Sequence, residues 1–206
     1  METDKRKAHW ENVYRTKDTK KVNWYQSVPE TSLRLIEKLD LSASTKIIDT
    51  GNGNSNLPDF LLEKGFTDIT LVDISEEALE AAKNRLGEKS KQITWLAADV
   101  ANFTPPKKYD LWHDRAVFHF LLDEKDVQNY VKTASENIVQ GGFLIISTFS
   151  NNGPDECSGL KVQQYSEKEL TKKFNKTFKK LECFAENHIT PSGGRQNFLF
   201  CVFQKL

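Results

Sequence analysis

The sequence predicts a single α/β domain of the doubly wound type: a mostly parallel sheet with helices on both faces and an antiparallel hairpin at its C-terminal end. Three observations carry that expectation. Short apolar runs alternate with segments of helical period along most of the chain. The first four of these runs end on or beside an acid, at Asp49, Asp73, Asp99 and Asp114. The last stretch then changes rhythm, with two long segments, KKLECFAENHI and QNFLFCVFQKL, flanking the turn residues Pro191-Ser192-Gly193-Gly194.

The elements follow in order. Trp10, Val13 and Tyr14 form an i, i+3, i+4 stripe on an expected N-terminal helix. Residues 1–28 read either as a lid over a site or as an extra helix packed on the sheet. Packing is expected for Trp10 and a site role for Trp24 or Tyr25. Ser27-Val28-Pro29-Glu30 has the spacing of a capping box that opens a helix through Leu39. KIID, ending at Asp49, is a short buried strand. The helix after it is capped by Ser55 or Asn56, with Pro58 in its first turn and Gly65 near its end. DITLVD, ending at Asp73, is the second strand, and Ser75 caps a helix closed by Gly87. QITWLAAD is the third strand, ending near Asp99, and YDLWHD the fourth, ending at Asp114. A helix from about Asp123 to Ile138 leads to the fifth strand, GFLIISTF. The polar loop from Ser150 to Tyr165 leaves that strand's carboxyl end, where it is expected to border a substrate pocket. Ser166 to Glu169 forms a second capping box before the closing hairpin.

Composition narrows the classes. The 206 residues fit one domain spanning 1–206, and 38 % hydrophobic with 28 % charged residues is ordinary for a soluble protein. Lysine plus arginine and aspartate plus glutamate number 29 each, which argues against a nonspecific nucleic-acid binder. No apolar run approaches the roughly 20 residues of a membrane span, and METDKRKAHW suits neither a signal nor a transit peptide. Cys157, Cys183 and Cys201 are scattered and odd in number, so reduced thiols are expected, and no histidine set has metal-ligand spacing. A cytoplasmic monomer without a metal or a membrane partner is the resulting expectation.

The segment IIDTGNGNSNL joins the first strand to its helix. In doubly wound sheets ligands bind beyond the carboxyl ends of the strands, where strand order reverses. Gly51 and Gly53 let a ligand approach the backbone there. A lone GxG also occurs in plain tight turns, so the acids matter more. A carboxylate at Asp73 is placed to accept both hydroxyls of a ribose, and one at Asp99 to take the amino group of an adenine. Together the four acids point to an adenosine-bearing ligand. A dinucleotide fits poorly, because Asn56 stands at the third glycine of the fingerprint and Asp49 would face a pyrophosphate. A P-loop is excluded by the absence of its motif.

Asp49-x-Gly51-x-Gly53, Asp73 and Asp99 resemble the motifs of class I S-adenosylmethionine-dependent methyltransferases, and the resemblance extends over nearly the whole chain. It implies a Rossmann-like, seven-stranded sheet with the last strand antiparallel. HWENVY and YDLWHDRAVFHFL resemble a methyltransferase-like subgroup that includes protein-lysine methyltransferases, the citrate synthase lysine methyltransferase among them. WHDRAVFHFL is also similar to a segment of thiopurine-type S-methyltransferases. The resemblance implies S-adenosylmethionine as cofactor and S-adenosylhomocysteine as product. Gly51 and Gly53 would pack on its methionine and ribose portion, with Asp49 near the amino group. Asp73 would hold the ribose diol, Ile74 and Val100 would flank the adenine, and Asp99 would meet its amino group. His113 would line the cofactor floor and Asp114 would face the transferred methyl. Asn52 stands where the family has glycine or a small residue, and asparagine tolerates left-handed backbone.

The acceptor expected from the resemblance is a protein lysine amine, which must lose a proton before it attacks. Asp114 is the first candidate for that proton, with His113 and His119 behind it. Asp114 also fits a pairing with Arg115 or a cap on the next turn, and His119, expected on an apolar helix with Phe118, Phe120 and Leu121, also fits a core histidine. A small molecule methylated at sulfur, nitrogen or oxygen is the alternative acceptor. A non-catalytic nucleoside-binding protein is the third reading.

Overall fold

The structure, a computed structural model, describes residues 3–206. Helix α1 (Thr3–Thr16) precedes α2 (Glu30–Lys38), β1 (Lys46–Thr50), α3 (Leu57–Glu63), β2 (Asp68–Asp73), α4 (Glu76–Leu86) and β3 (Ile93–Ala97). There follow β4 (Tyr109–Arg115), α5 (Glu124–Asn137), β5 (Ile138–Phe149), the short strands β6 (Glu156–Cys157) and β7 (Leu160–Lys161), α6 (Glu167–Phe174), β8 (Phe178–Ile189) and β9 (Arg195–Lys205). Seven strands form one sheet in the order β3-β2-β1-β4-β5-β9-β8. All contacts among β1 to β5 are parallel, and β9 runs antiparallel to both β5 and β8. The order reverses between β1 and β4, which places the switch point beside Asp49 and His113, paired in register.

Period-two alternation along the strands divides the core between two faces. Ile48, Val72, Trp112, Leu144 and Ile146 pack with α5 and α6 through Tyr130, Ala134, Leu170 and Phe174. Ile47, Leu71, Leu111 and Ile145 pack on the other face with Leu35 and Ile36 of α2 and Leu57 and Leu61 of α3. Neighbouring residues of β4 therefore face opposite layers, and this decides what His113 and Asp114 can reach.

Several local expectations are corrected. Ser27 caps nothing; Pro29 holds the N-cap position of α2, and the Ser27 carbonyl instead accepts from Asn56 Nδ2 at 3.1 Å. β3 stops at Ala97, so Asp99 lies two residues beyond it in a turn, and the crossover from β3 to β4 carries no helix. The segment with His119 is a single tight 3₁₀ turn, Phe118–Phe120. Cys183 and Cys201 are not free thiols: they face each other across the β8–β9 ladder, Cα atoms 4.2 Å apart, and form a disulfide. Their proximity comes from hairpin register, not from spacing in the sequence. Cys157 is a buried thiol. The capping box of Ser166 and Glu169 is present as expected.

Candidate active site

The glycine turn at the end of β1 is fastened to β2. The N–H groups of Gly51 and Asn52 donate to the Val72 carbonyl at 2.6 and 3.2 Å, and that of Gly53 donates to Asp73 Oδ2 at 2.8 Å. The left-handed positions fall on Gly51 (φ +64°) and Gly53 (φ +56°), and Asn52 needs no left-handed backbone. Both glycines are also sites of close approach. A Cβ on Gly51 would stand 1.9 Å from Val117 Cγ2, and one on Gly53 would stand 2.2 Å from the Tyr14 hydroxyl. Ser55 and Asn56 divide the expected capping role at α3. Ser55 Oγ accepts from the Leu57 N–H at 3.1 Å, while the Asn56 side chain ties down the carbonyls of Gln26 and Ser27.

Two cavities meet at Gly51 and Tyr14. The first is lined by Asp73, Ile74, Ala98, Asp99 and Val100, and closed from above by Arg6 and Trp10 of α1 with Phe120 and Leu121. Asp73 is 6 % exposed and accepts from the backbone of Gly53 and Ser75. Burial pushes its carboxyl up to about 6, with the charges of Glu11 and Asp49 adding to the effect. Asp99 accepts from the Ala101 N–H, from Thr3 Oγ1 at 2.9 Å and from Arg6, whose guanidinium also bonds Asp126 at 2.9 Å. Glu11 of α1 reaches the N-terminus of α4, accepting from Ser75 Oγ and from the Glu76 and Glu77 N–H groups, where the helix dipole favours an acid. Helix α1 thus spans the mouth of this cavity through charged contacts to both rims. Trp10, expected only to pack, is part of its wall.

The second cavity is lined from below by Ser32, Asp49, Gly51, Asn52, His113 and Arg115. Tyr14, Trp24, Tyr25 and Gln26 cover it. Asp49 Oδ1 stands 2.6 Å from His113 Nδ1, and His113 Nε2 stands 2.9 Å from Ser32 Oγ, all three residues being buried. With the Nδ1 proton facing the carboxylate, Nε2 accepts from the serine hydroxyl. Ser32 carried no sequence motif. Its only signal was a small polar residue on the apolar face of α2.

Asp114 lines neither cavity. It sits on the α5 face of β4, fully buried, accepting from the Tyr130 hydroxyl at 2.6 Å and from the Val117 and Phe118 N–H groups. Burial pushes its carboxyl up to about 6. It is a cap on the following turn and does not pair with Arg115. The expectation that it faces the transferred methyl is corrected by the alternation of β4, which turns His113 and Arg115 toward the second cavity and Asp114 away from it. His119 is a core histidine: its Nδ1 accepts from the Phe149 N–H at 3.1 Å, and burial pushes its pKa down to about 3. The Ser150 to Tyr165 loop lines neither cavity; its Ser158 borders a separate hollow with Lys17, Asp18 and Trp24. Among the described residues no group of three or more His, Cys, Asp or Glu side chains could hold a metal, and no helix is long and apolar enough to cross a membrane.

Residues 48–144 match the methyltransferase domain family. The strand order and the glycine turn agree with that match. Malonyl-acyl-carrier-protein O-methyltransferase 1 of Ilyobacter polytropus is 28 % identical over 171 residues, covering 75 % of this chain and 62 % of that protein. The chain therefore spans less than two thirds of that relative's length. The EEF1A lysine methyltransferase 2 of Danio rerio is 27 % identical over 157 residues, 69 % of this chain and 67 % of the relative. The structure of a SAM-dependent methyltransferase from Anabaena variabilis superposes with a TM-score of 0.76 at 14 % identity, over 99 % of this chain and 95 % of that one. The shared fold is Rossmann-like.

Proposed function

We propose that this chain transfers a methyl group from S-adenosylmethionine to a small organic acceptor held in the cavity beside Ser32 and His113. The observation that carries the reading is the pair of cavities joined at Gly51. One has the acids and apolar walls that suit an adenosine, and the other is polar and covered. The residues present fit the cofactor. Asp73 retains acceptor capacity for a ribose diol, Ile74 and Val100 bracket a flat base, and the buried Asn52 Oδ1 has no partner and suits an ammonium group. Bound there, the cofactor supplies an electrophilic methyl on a sulfonium.

The protein's part is positioning and proton handling. Tyr14, Trp24 and Tyr25 wall the second cavity. The Ser32 hydroxyl takes a hydrogen bond or proton from the acceptor as it passes its own to His113 Nε2, and Asp49 stabilises the imidazolium so formed. Orientation of this kind supplies roughly 7–11 kcal/mol in well-aligned systems.

The cover favours a small acceptor, because a lysine on a folded protein would have to pass the Tyr14 to Pro29 segment. A protein lysine amine, of the kind methylated by the citrate synthase lysine methyltransferase group, is the second reading, supported by the likeness to an EEF1A lysine methyltransferase. Incubation of the purified protein with radiolabelled S-adenosylmethionine and a cell extract separates the two. A labelled low-mass product distinct from S-adenosylmethionine and formed only when the protein is added supports the first reading, and label on protein that survives denaturation, again only with the protein added, supports the second.

A further inference from the structure

Arg115 ends β4 on the same face as His113, two residues along the strand. Its Nη1 donates to the Trp24 carbonyl at 3.0 Å, and its guanidinium carbon lies 5.0 Å from the centre of the Phe198 ring. Its Nε and Nη2 are buried and have no hydrogen-bond partner. The acids around it are engaged elsewhere, Asp49 with His113 and Glu186 with Thr31 and Arg34. Among the described residues no carboxylate makes an ion pair with it. A half-buried cation whose two idle donors are themselves buried is unfavourable unless an anion completes it. Nε–H and Nη2–H form the edge of a guanidinium that grips a carboxylate through two parallel hydrogen bonds.

We propose that Arg115 is the anchor for a carboxylate carried by the methyl acceptor, so that the substrate class is small organic acids. The assignment rests on the methyltransferase reading above and narrows it. Arg115 lines both the cavity of Ser32 and His113 and the adjoining hollow bounded by Gln26, His188, Phe198 and Phe200, on the side away from the glycine turn. An acid seated on its free edge lies next to the Ser32–His113 pair, with Trp24 and Phe198 against its apolar body. A lysine side chain, being cationic, is repelled at the same place. The carboxylate of the cofactor's methionine portion has the same chemistry, and the test separates the two sources.

The test uses the full chain saturated with S-adenosylhomocysteine and follows tryptophan fluorescence, since the Trp24 backbone holds Arg115. Acetate, acetamide and chloride are titrated at matched ionic strength into the wild type, Arg115→Gln and Arg115→Lys. The expected result is a saturable response to acetate alone, at least tenfold weaker in Arg115→Gln and partly kept in Arg115→Lys. S-adenosylhomocysteine and 5′-methylthioadenosine, which lacks the amino-acid portion, should bind wild type and Arg115→Gln equally. Absence of a saturable acetate response in the wild type, or an equal response in Arg115→Gln, overturns the proposal. So does a loss of S-adenosylhomocysteine affinity in Arg115→Gln with 5′-methylthioadenosine unaffected, which would give Arg115 to the cofactor instead. Failure of the wild type to bind S-adenosylhomocysteine at all is a different result. It removes the methyltransferase reading, and the acceptor assignment with it.

Discussion

The two cavities that meet at Gly51 are built on opposite plans. On the Asp73 side every acid is already held by the protein, by backbone N–H groups or by Thr3 and Arg6 of the overlying helix. On the His113 side the acid and the histidine are tied into a chain ending on a serine, while Arg115 keeps two buried donors without partners. The first arrangement fits a ligand with a fixed chemistry, accepted by exchanging contacts with α1. The second leaves donors idle until a ligand supplies their complements, which is where specificity between acceptors is set.

The comparison breaks most completely at the junction. Gly51→Val places a side chain on Val117 and forces a β-branched residue to φ +64°, and strain of this type alone costs about 1–3 kcal/mol. Cofactor binding should disappear and the melting temperature should fall, both read on one purified sample.

The two faces of β4 give the next largest effect. His113→Gln should lower kcat by about 100-fold or more, the range of general acid–base contributions, with little change in cofactor affinity. Asp114→Asn should leave kcat nearly unchanged and cost about 1–2 kcal/mol of stability, through the hydrogen bonds to Tyr130 and the following turn. The reverse pattern in steady-state kinetics and thermal unfolding would return the proton-handling role to Asp114.

Acidification tests the Asp73 side alone. A ribose diol is best held by the ionised carboxylate, and burial puts that ionisation at about 6. Between pH 7 and pH 5 cofactor affinity should fall by about tenfold, following the loss of the ionised form. Binding near pH 6 should release protons, visible as a buffer-dependent enthalpy. The sign for folding is opposite: a carboxyl raised above its ordinary value of 3.8 contributes stability that grows as pH falls through 6. Arg6→Ala is the mildest change. It unties α1 from Asp99 and Asp126, and should speed amide exchange along that helix and cofactor release by a few-fold, leaving the sheet as protected as before.

Much of this was legible in the sequence, because periodicity and turn chemistry act locally. The alternation of strands and helices, the closing hairpin, the Ser75 cap and the Ser166 capping box all stand where their residues indicate. Asp49, Gly51, Asp73 and Asp99 stood out by their places at or beside strand ends, and Ile74, Val100 and His113 only through the family resemblance; the fold places all seven on the walls of the two cavities. What escaped depends on contacts between distant segments. The Cys183–Cys201 bond follows from hairpin register, and β6 and β7 are too short to leave a pattern. Ser32 and Arg6 are single polar residues with no motif around them, and Arg115 sits in the WHDRAVFHFL segment without any sign of its partners; only packing reveals what they face. Asp114 was misassigned for the converse reason: proximity to the site in sequence says nothing about which face of a strand a side chain takes.

The most direct measurement is calorimetric titration of S-adenosylhomocysteine into the wild type and Asp73→Ala at pH 7.5. The account predicts micromolar binding in the wild type, weakened about 100-fold by the loss of charge-assisted hydrogen bonds of about 1.5–3 kcal/mol each. Equal affinity in the two proteins, or no binding in the wild type, would contradict it.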